Sequence, residues 1–310
     1  MRPARAAAAA LVALALAAPP ARAYFEDVVH GARGTSMGQG AIAVVRDASA
    51  LHWNPAALSA LRRPEAIADY RNPYGLSDLN IGALAVAAPA FGAGWAAGWH
   101  RLAVRDAYAE DLFTLAAGRV MLERGAQRLA VGAAFKLGRV SFPELFDPAG
   151  GGALDLPDQS KGSLDLGVLW TTPWPMDVAW VARDVLRPRY ELVPGTGGDV
   201  LEPRHELAAG LRWNRESTIS LGWAQPEDGA PTFNAGLEIL FFDVFAIRSG
   251  VTNLSNVYRS QGSPTEMQFT GGFGVFHKGY QVDAAATTNR DLGASYHVTL
   301  RVPFGGSTLR

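Results

Sequence analysis

Gly34-Thr35-Ser36-Met37-Gly38 has the G-x-S-x-G spacing that in hydrolases presents a serine nucleophile on a sharp strand-to-helix turn. That chemistry needs a sheet ahead of the turn, and the motif stands too close behind an N-terminal leader to leave room for one. The six histidines, His30, His52, His100, His205, His277 and His297, are scattered. None are paired at the i, i+4 spacing that turns two rings toward a zinc ion. With no cysteine there is neither a thiolate metal site nor a disulfide framework. Gly195 to Gly198 is followed by neither Lys-Ser/Thr nor a helical pattern, so a phosphate cradle is not supported. Asp47 reads as a functional carboxylate or, more simply, as a loop residue satisfying backbone donors. No catalytic residue, metal or cofactor is expected, and the chain reads as a non-enzyme.

The elements that hold these residues begin behind a leader. Arg2 and Arg5 start a basic segment, Ala6 to Ala18 is apolar and uncharged, and Ala21-Arg22-Ala23 is a small-x-small cleavage site. Residues 1–23 are therefore expected to be a cleaved signal peptide. Its removal leaves 25 basic residues against 29 acidic, a net charge of −4 that argues against a nucleic-acid partner. No later stretch has the ~18 consecutive apolar residues of a membrane helix. An exported chain without one is secreted, periplasmic, or closed into a membrane barrel.

From Pro64 to Phe304 apolar and polar residues alternate between turn signals. Leu207, Ala209, Leu211 and Trp213 oppose Glu206, Ala208, Gly210, Arg212 and Asn214; Tyr296, Val298, Leu300, Val302 and Phe304 oppose Ser295, His297, Thr299, Arg301 and Pro303. A period of two puts each set on its own sheet face. Fourteen such segments are expected, at 64–71, 79–88, 91–103, 110–121, 127–139, 160–171, 175–184, 203–214, 216–224, 231–240, 243–252, 265–277, 279–288 and 294–304. After even-numbered segments the links are tight, as at Pro89-Ala90, Phe241-Phe242 and Lys278. After odd-numbered ones they lengthen, most at Val140 to Gln159, Val185 to Glu202 and Asn253 to Pro264. Short turns at one end and long loops at the other are the pattern of an outer-membrane barrel.

One face carries Leu, Val, Phe, Trp and Ile, suited to lipid. The other carries Lys136, Asp165, Glu206, Arg212, Glu238, Arg248, Gln268, Asp283, His297 and Arg301, the candidate lumen-facing set. Trp95, Trp99, Trp170, Trp174, Trp180, Trp213 and Trp223 lie near segment ends, where interfacial girdles form.

Ahead of the strands, Gly31 to Leu61 combines Gly38 and Gly40, an alternating apolar stretch Ala41 to Val45, then Asp47-Ala48-Ser49-Ala50 and finally Trp53-Asn54-Pro55-Ala56. Asn54 before Pro55 is a helix-start signal: Asn caps an orphan N–H, and Pro at the first helical position already has the right φ. The order of these pieces resembles the N-terminal plug of FadL-type outer-membrane barrels, and more closely that of the PorV/PorQ family. Arg128 to Lys136, Gly162 to Trp170, Arg204 to Trp213, Phe233 to Thr252 and Gly271 to Phe304 follow the same pattern in order.

The expected fold is thus all-β: a 14-stranded antiparallel transmembrane barrel of the outer membrane over 62–310, with residues 24–61 as a plug in the lumen. The resemblance implies passive transport of small hydrophobic molecules, or alternatively a secretion accessory that docks exported proteins at the cell surface. Outer-membrane lipids are expected partners, with either a small hydrophobic ligand or a secreted protein as substrate. A soluble secreted β-protein is a third reading.

Overall fold

A computed structural model describes residues 25, 30–38, 40–143, 145–146, 153–154, 156–191, 198–228, 230–254, 266–289 and 292–305. The expected signal peptide, most of 144–155, residues 192–197 and 255–265, and the tail 306–310 lie outside the described residues.

The alternating segments form the strands β1 (Glu65–Asn72), β2 (Leu79–Ala90), β3 (Ala93–Val104), β4 (Tyr108–Arg124), β5 (Gln127–Ser141), β6 (Gln159–Thr171) and β7 (Met176–Arg183). They continue as β8 (Arg204–Arg212), β9 (Ser217–Pro226), β10 (Thr232–Phe241), β11 (Phe245–Leu254), β12 (Glu266–His277), β13 (Tyr280–Asn289) and β14 (Gly293–Pro303). Each pairs antiparallel with its sequence neighbour, and β1 pairs with β14 from Glu65↔Pro303 to Asn72↔Tyr296, which closes the barrel. Closure satisfies every strand edge, the condition for a sheet to stand in hydrocarbon.

All fourteen expected strands are present, with ends shifted by a few residues. The turn expected at Pro89-Ala90 falls instead at Phe91-Gly92, where both residues have positive φ (52° and 73°) as a tight hairpin turn requires. Two short hairpins that periodicity did not show, Leu145–Phe146 with Ala153–Leu154 and Arg189–Tyr190 with Asp199–Val200, sit within the long connections.

The alternation sorts side chains as the period of two requires. On β2, Ala83, Ala85 and Ala87 are buried inside while Leu84 and Val86 stand outside. Phe113, Leu115, Phe135, Leu137, Leu221, Phe233, Ile247, Phe269, Phe273 and Val298 extend that outer belt around the circumference. A water-soluble monomer rarely exposes apolar patches beyond a few hundred Å². A continuous belt of this kind is built to face lipid chains.

Residues 30–61 lie inside the barrel. Helix α1 (Ala32–Ser36) packs on β11 to β14, the 3-10 turn Ala41–Ala43 on β7 to β9, and the 3-10 helix Pro55–Ala60 on β3 to β6. The short helix α2 (Ala50–Trp53) joins the last two. Space for this backbone comes from inward-facing glycines. A Cβ on Gly94 would strike Leu58, on Gly118 or Gly132 the main chain at Pro55 and Ala56, on Gly210 Val44, and on Gly236 or Gly250 the chain at Met37 and Gly38.

Ala41 to Val45, alternating in sequence, is coiled rather than extended. No strand edge is free inside the lumen, so the backbone satisfies itself: Val44 N and Val45 N donate to Ala41 O at 2.9 and 3.0 Å. Asn54 does what its position before Pro55 predicts. Its backbone is extended (φ −157°) and its Oδ1 accepts from Ala56 N at 3.0 Å. Its amide also donates to Ile42 O and to Val168 O of the barrel, both at 3.2 Å. Asn54→Ala is expected to lower stability by about 1–2 kcal/mol through the lost cap. Asn54→Asp keeps the cap but turns a carboxylate on two carbonyls, and should cost more; thermal unfolding in detergent ranks the two.

Candidate functional site

Among the described residues, buried charged groups gather at the boundary between the inner segment and the barrel wall. Arg33 of α1 donates to Glu238 of β10 through Nη2 at 2.7 Å and Nε at 2.8 Å. Glu238 also accepts from Arg248 Nε at 2.6 Å, and Arg248 Nη1 donates to Asp283 at 2.7 Å. Arg248 is fully buried between its two carboxylates. A paired charge in such a place is costly to orphan. Glu238→Gln leaves two guanidiniums around one neutral amide and should destabilise the closed barrel by about 3–5 kcal/mol, read as a lower unfolding temperature in detergent.

The same pattern recurs around the wall. Arg46 meets Asp177 at 3.0 Å, and Arg212 pairs with the same carboxylate. Arg183 Nε donates to Glu206 at 2.8 Å while its Nη2 donates to Trp53 O at 2.8 Å. Lys136 pairs with Asp165 at 2.7 Å and with Asp184 at 2.5 Å. Glu65 accepts from Ala48 N at 2.6 Å and lies 4.0 Å from Arg301. Gln268 is half-buried on the same inner face, one turn of the pleat from Thr270, whose Oγ1 accepts from Gly38 N at 3.1 Å. Nine of the ten residues read as lumen-facing thus join these pairs or the histidine group below.

Arg33, Arg46, Glu65, Asp69, Asp177, Arg183 and Asp184 complete the pairs and were not singled out in the sequence. Asp177 and Arg183 share the inward parity of Ala179 and Val181, and Asp69 that of Ile67, so parity carried that signal. Arg33 and Arg46 lie on irregular backbone that has no period to read.

Within residues 30–61, Gly38 and Gly40 make the close approaches to the wall. Asp47 Oδ1 accepts from Ser49 N at 2.9 Å and from Ser49 Oγ at 2.5 Å, a local turn rather than a reactive carboxylate. Trp53 donates to His30 O, and Pro55 and Ala56 press on the wall glycines. Ser36 is buried in α1 and donates to Arg33 O at 2.9 Å, and among the described residues no strand precedes it to form a nucleophile elbow.

Four of the six scattered histidines converge in space. His30 and His52 stack with ring centroids 3.4 Å apart and planes 6° from parallel, and His100 of β3 meets His30 edge-on at 4.9 Å. His297 of β14 approaches through Asp69, whose carboxylate lies 3.3 Å from His297 Nε2 and 3.8 Å from His30 Nδ1. Parallel rings do not aim lone pairs at one point, and among the described residues no His/Asp/Glu group has metal-holding geometry. Burial first, then His52 and His100, hold His30 well below the ordinary imidazole range. Burial, His100, and the Lys136 and Arg183 cations do the same to His52. Both rings are neutral at pH 7.

Above His52, toward the long loops, lies a cavity of about 50 Å³ bordered by Phe25, Leu112, Tyr190, Leu201, Lys161 and Arg204. A cavity that holds benzene is about 150 Å³. The conformation is therefore closed even to a small aromatic molecule at this point.

The sequence matches no protein-family model and no curated protein. The structure resembles the CymD monoaromatic hydrocarbon channel, with a TM-score of 0.66 at 14% identity over 91% of this chain and 100% of that one. It resembles the toluene transporter TodX of Pseudomonas putida with a TM-score of 0.58 at 14% identity, over 88% of this chain and 96% of that one. A FadL homologue of Pseudomonas aeruginosa gives 0.56 at 14% identity, over 89% and 98%. At such identities the likeness is one of fold, and the fold of this chain is the FadL-like closed β-barrel.

Proposed function

We propose that this chain is an outer-membrane channel through which small hydrophobic molecules pass down their concentration gradient. The observation that carries the reading is the filling of the lumen. An aqueous porin keeps a polar interior open to water. Here residues 30–61 close it, and half of the wall behind them is aliphatic: Ala85, Ala87, Ala96, Ala116, Ala130 and Ala134 pack on Leu51, Ala56, Ala57 and Leu58. Such an interior blocks ions and can yield only to an apolar passenger. The fold shared with hydrocarbon channels supports the same reading. On this reading residues 1–23 are a cleaved signal peptide, residues 24–61 a plug, and the outer belt contacts outer-membrane lipid.

Proteoliposomes carrying the purified chain should take up radiolabelled toluene faster than those carrying an unrelated barrel, at an unchanged, low ion conductance. Equal uptake would end the proposal. The finer PorV/PorQ resemblance, resting on Trp53-Asn54-Pro55-Ala56, supports a docking role for exported proteins. Deleting 142–158 would then abolish capture of a secreted polypeptide and leave toluene uptake unchanged.

A further inference from the structure

The plug is held in two different ways along its length. From Gly31 to Asn54 polar anchors to the barrel follow one another. Gly31 N donates to Asp69 at 3.0 Å and Ala32 N to Thr299 Oγ1 at 2.7 Å. Arg33 binds Glu238, Gly38 N binds Thr270, and Arg46 binds Asp177. Ala48 N binds Glu65, and Arg183 and Val168 hold Trp53 O and the Asn54 amide. From Pro55 to Leu61 the hydrogen bonds among the described residues are internal: Ala57 N to Asn54 O, Ser59 Oγ to Ala56 O, and Leu61 N to Leu58 O. This stretch touches the wall through van der Waals contact of its side chains and main chain, without a hydrogen bond to it among those described.

The wall it touches is equally one-sided. Inward positions run Ile81, Ala83, Ala85 and Ala87 on β2, then Gly94, Ala96 and Gly98 on β3. They continue as Ala116, Gly118 and Val120 on β4, Ala130, Gly132 and Ala134 on β5, and Gly167 and Leu169 on β6. No charged or hydrogen-bonding side chain falls between these positions; His100, Thr114 and Lys136 bound the stretch at its loop end and Arg128 at its turn end, whereas the sector from β10 to β14 carries Glu238, Arg248, Asp283 and His297.

We infer that the passage is a lane between Pro55–Leu61 and the inner faces of β2 to β5, and that it admits uncharged apolar molecules only. The inference rests on the transport reading above. Separating Pro55–Leu61 from the wall breaks no hydrogen bond among those described and uncovers apolar side chains together with the carbonyls of Pro55, Ala56 and Leu58, and an apolar passenger covers the apolar part again. Withdrawing the other side would break the Arg33–Glu238 pair and leave Arg33 without its carboxylate. The anchored stretch therefore acts as the hinge and the unanchored stretch as the flap. At its loop end the lane meets the Leu112–Tyr190 cavity beside His52; at its other end it opens beside Leu61 at the short turns.

A chain without cysteine allows spin labels to be placed at will. Ser59, half-buried on the flap, is labelled as S59C. It is paired with F91C on the β2–β3 turn, whose side chain is 95% exposed, or with F242C on the β10–β11 turn, 93% exposed. On saturating proteoliposomes with toluene, the 59–91 distance should lengthen by roughly 4–7 Å, the spacing an intervening aromatic ring imposes. The 59–242 distance should shorten. Flux is read in parallel, with toluene and benzoate each supplied as labelled probe; the lane requires at least tenfold slower benzoate. Unmoved distances, or benzoate carried as fast as toluene, overturn the lane. Shifted distances without uptake of either probe keep the lane as a binding site and remove the transport reading. Uptake of toluene with unmoved distances keeps transport and removes the lane.

Discussion

Deletion of residues 31–61 turns the closed barrel into an ion-conducting pore, with single-channel conductance rising by roughly tenfold or more. A barrel of this strand number encloses more space than its own side chains fill. Here the remainder is taken up by main chain pressed against glycine. The same result should follow, in weaker form, from substitutions that leave the strands intact. Gly118→Leu and Gly132→Leu point inward onto Pro55 and Ala56, where even a Cβ overlaps the backbone. The strand hydrogen bonds, Gly118↔Gly132 among them, do not depend on those side chains. The double variant should therefore fold, keep its heat-modifiable migration, and show frequent open-channel events in planar bilayers. Gly162→Leu on the neighbouring strand, where a Cβ meets only Phe135 side-chain atoms at ordinary contact distance, is the control and should stay closed. A silent deletion variant would mean that something other than this segment closes the lumen.

The barrel was legible because its physics is periodic. Leu207, Ala209 and Leu211 had to share a face opposite Glu206, Ala208 and Gly210, whatever the rest of the chain did. Fourteen repetitions of that rule, with tight turns at alternate ends, leave little but a closed sheet. Turn positions were less legible, since Phe91 is a poor residue for positive φ and only Gly92 marks the hairpin. The inner segment was legible at one point, Asn54-Pro55, where local chemistry decides the backbone. Its route was not. Ala41 to Val45 alternates like a strand, yet coils because the lumen offers no partner edge. The convergence of the histidines was not legible for a related reason: His30, His52 and His100 come from a loop, a short helix and a strand. Only the fold brings them together.

On the proposed reading of this segment as a plug, that convergence should couple the protonation state of the lumen to the seating of the plug. His30 and His52 belong to residues 30–61, while the groups facing them belong to the wall: Asp69 of β1, His100 of β3, Lys136 of β5, Arg183 of β7 and His297 of β14. The carboxylate of Asp69 favours a charged His30, but burial and the neighbouring rings outweigh it; on His52 the two cations add to burial. Both rings therefore titrate below the ordinary value of 6.5 when the plug is seated, and near it when the plug is displaced into water. Between those values the displaced form holds more protons. Seating is thus at full strength above pH 6.5 and weakens as pH falls below it, by up to about 100-fold per pH unit for two protons. Lowering the pH from 7.5 to 5 should raise the open probability of the intact channel steeply. His30→Phe with His52→Phe retains two flat rings in place of the stack and removes both titrations, so its open probability should stay flat over the same range. A wild-type channel indifferent to pH, or a double variant that still opens on acidification, would show that these rings do not control the plug.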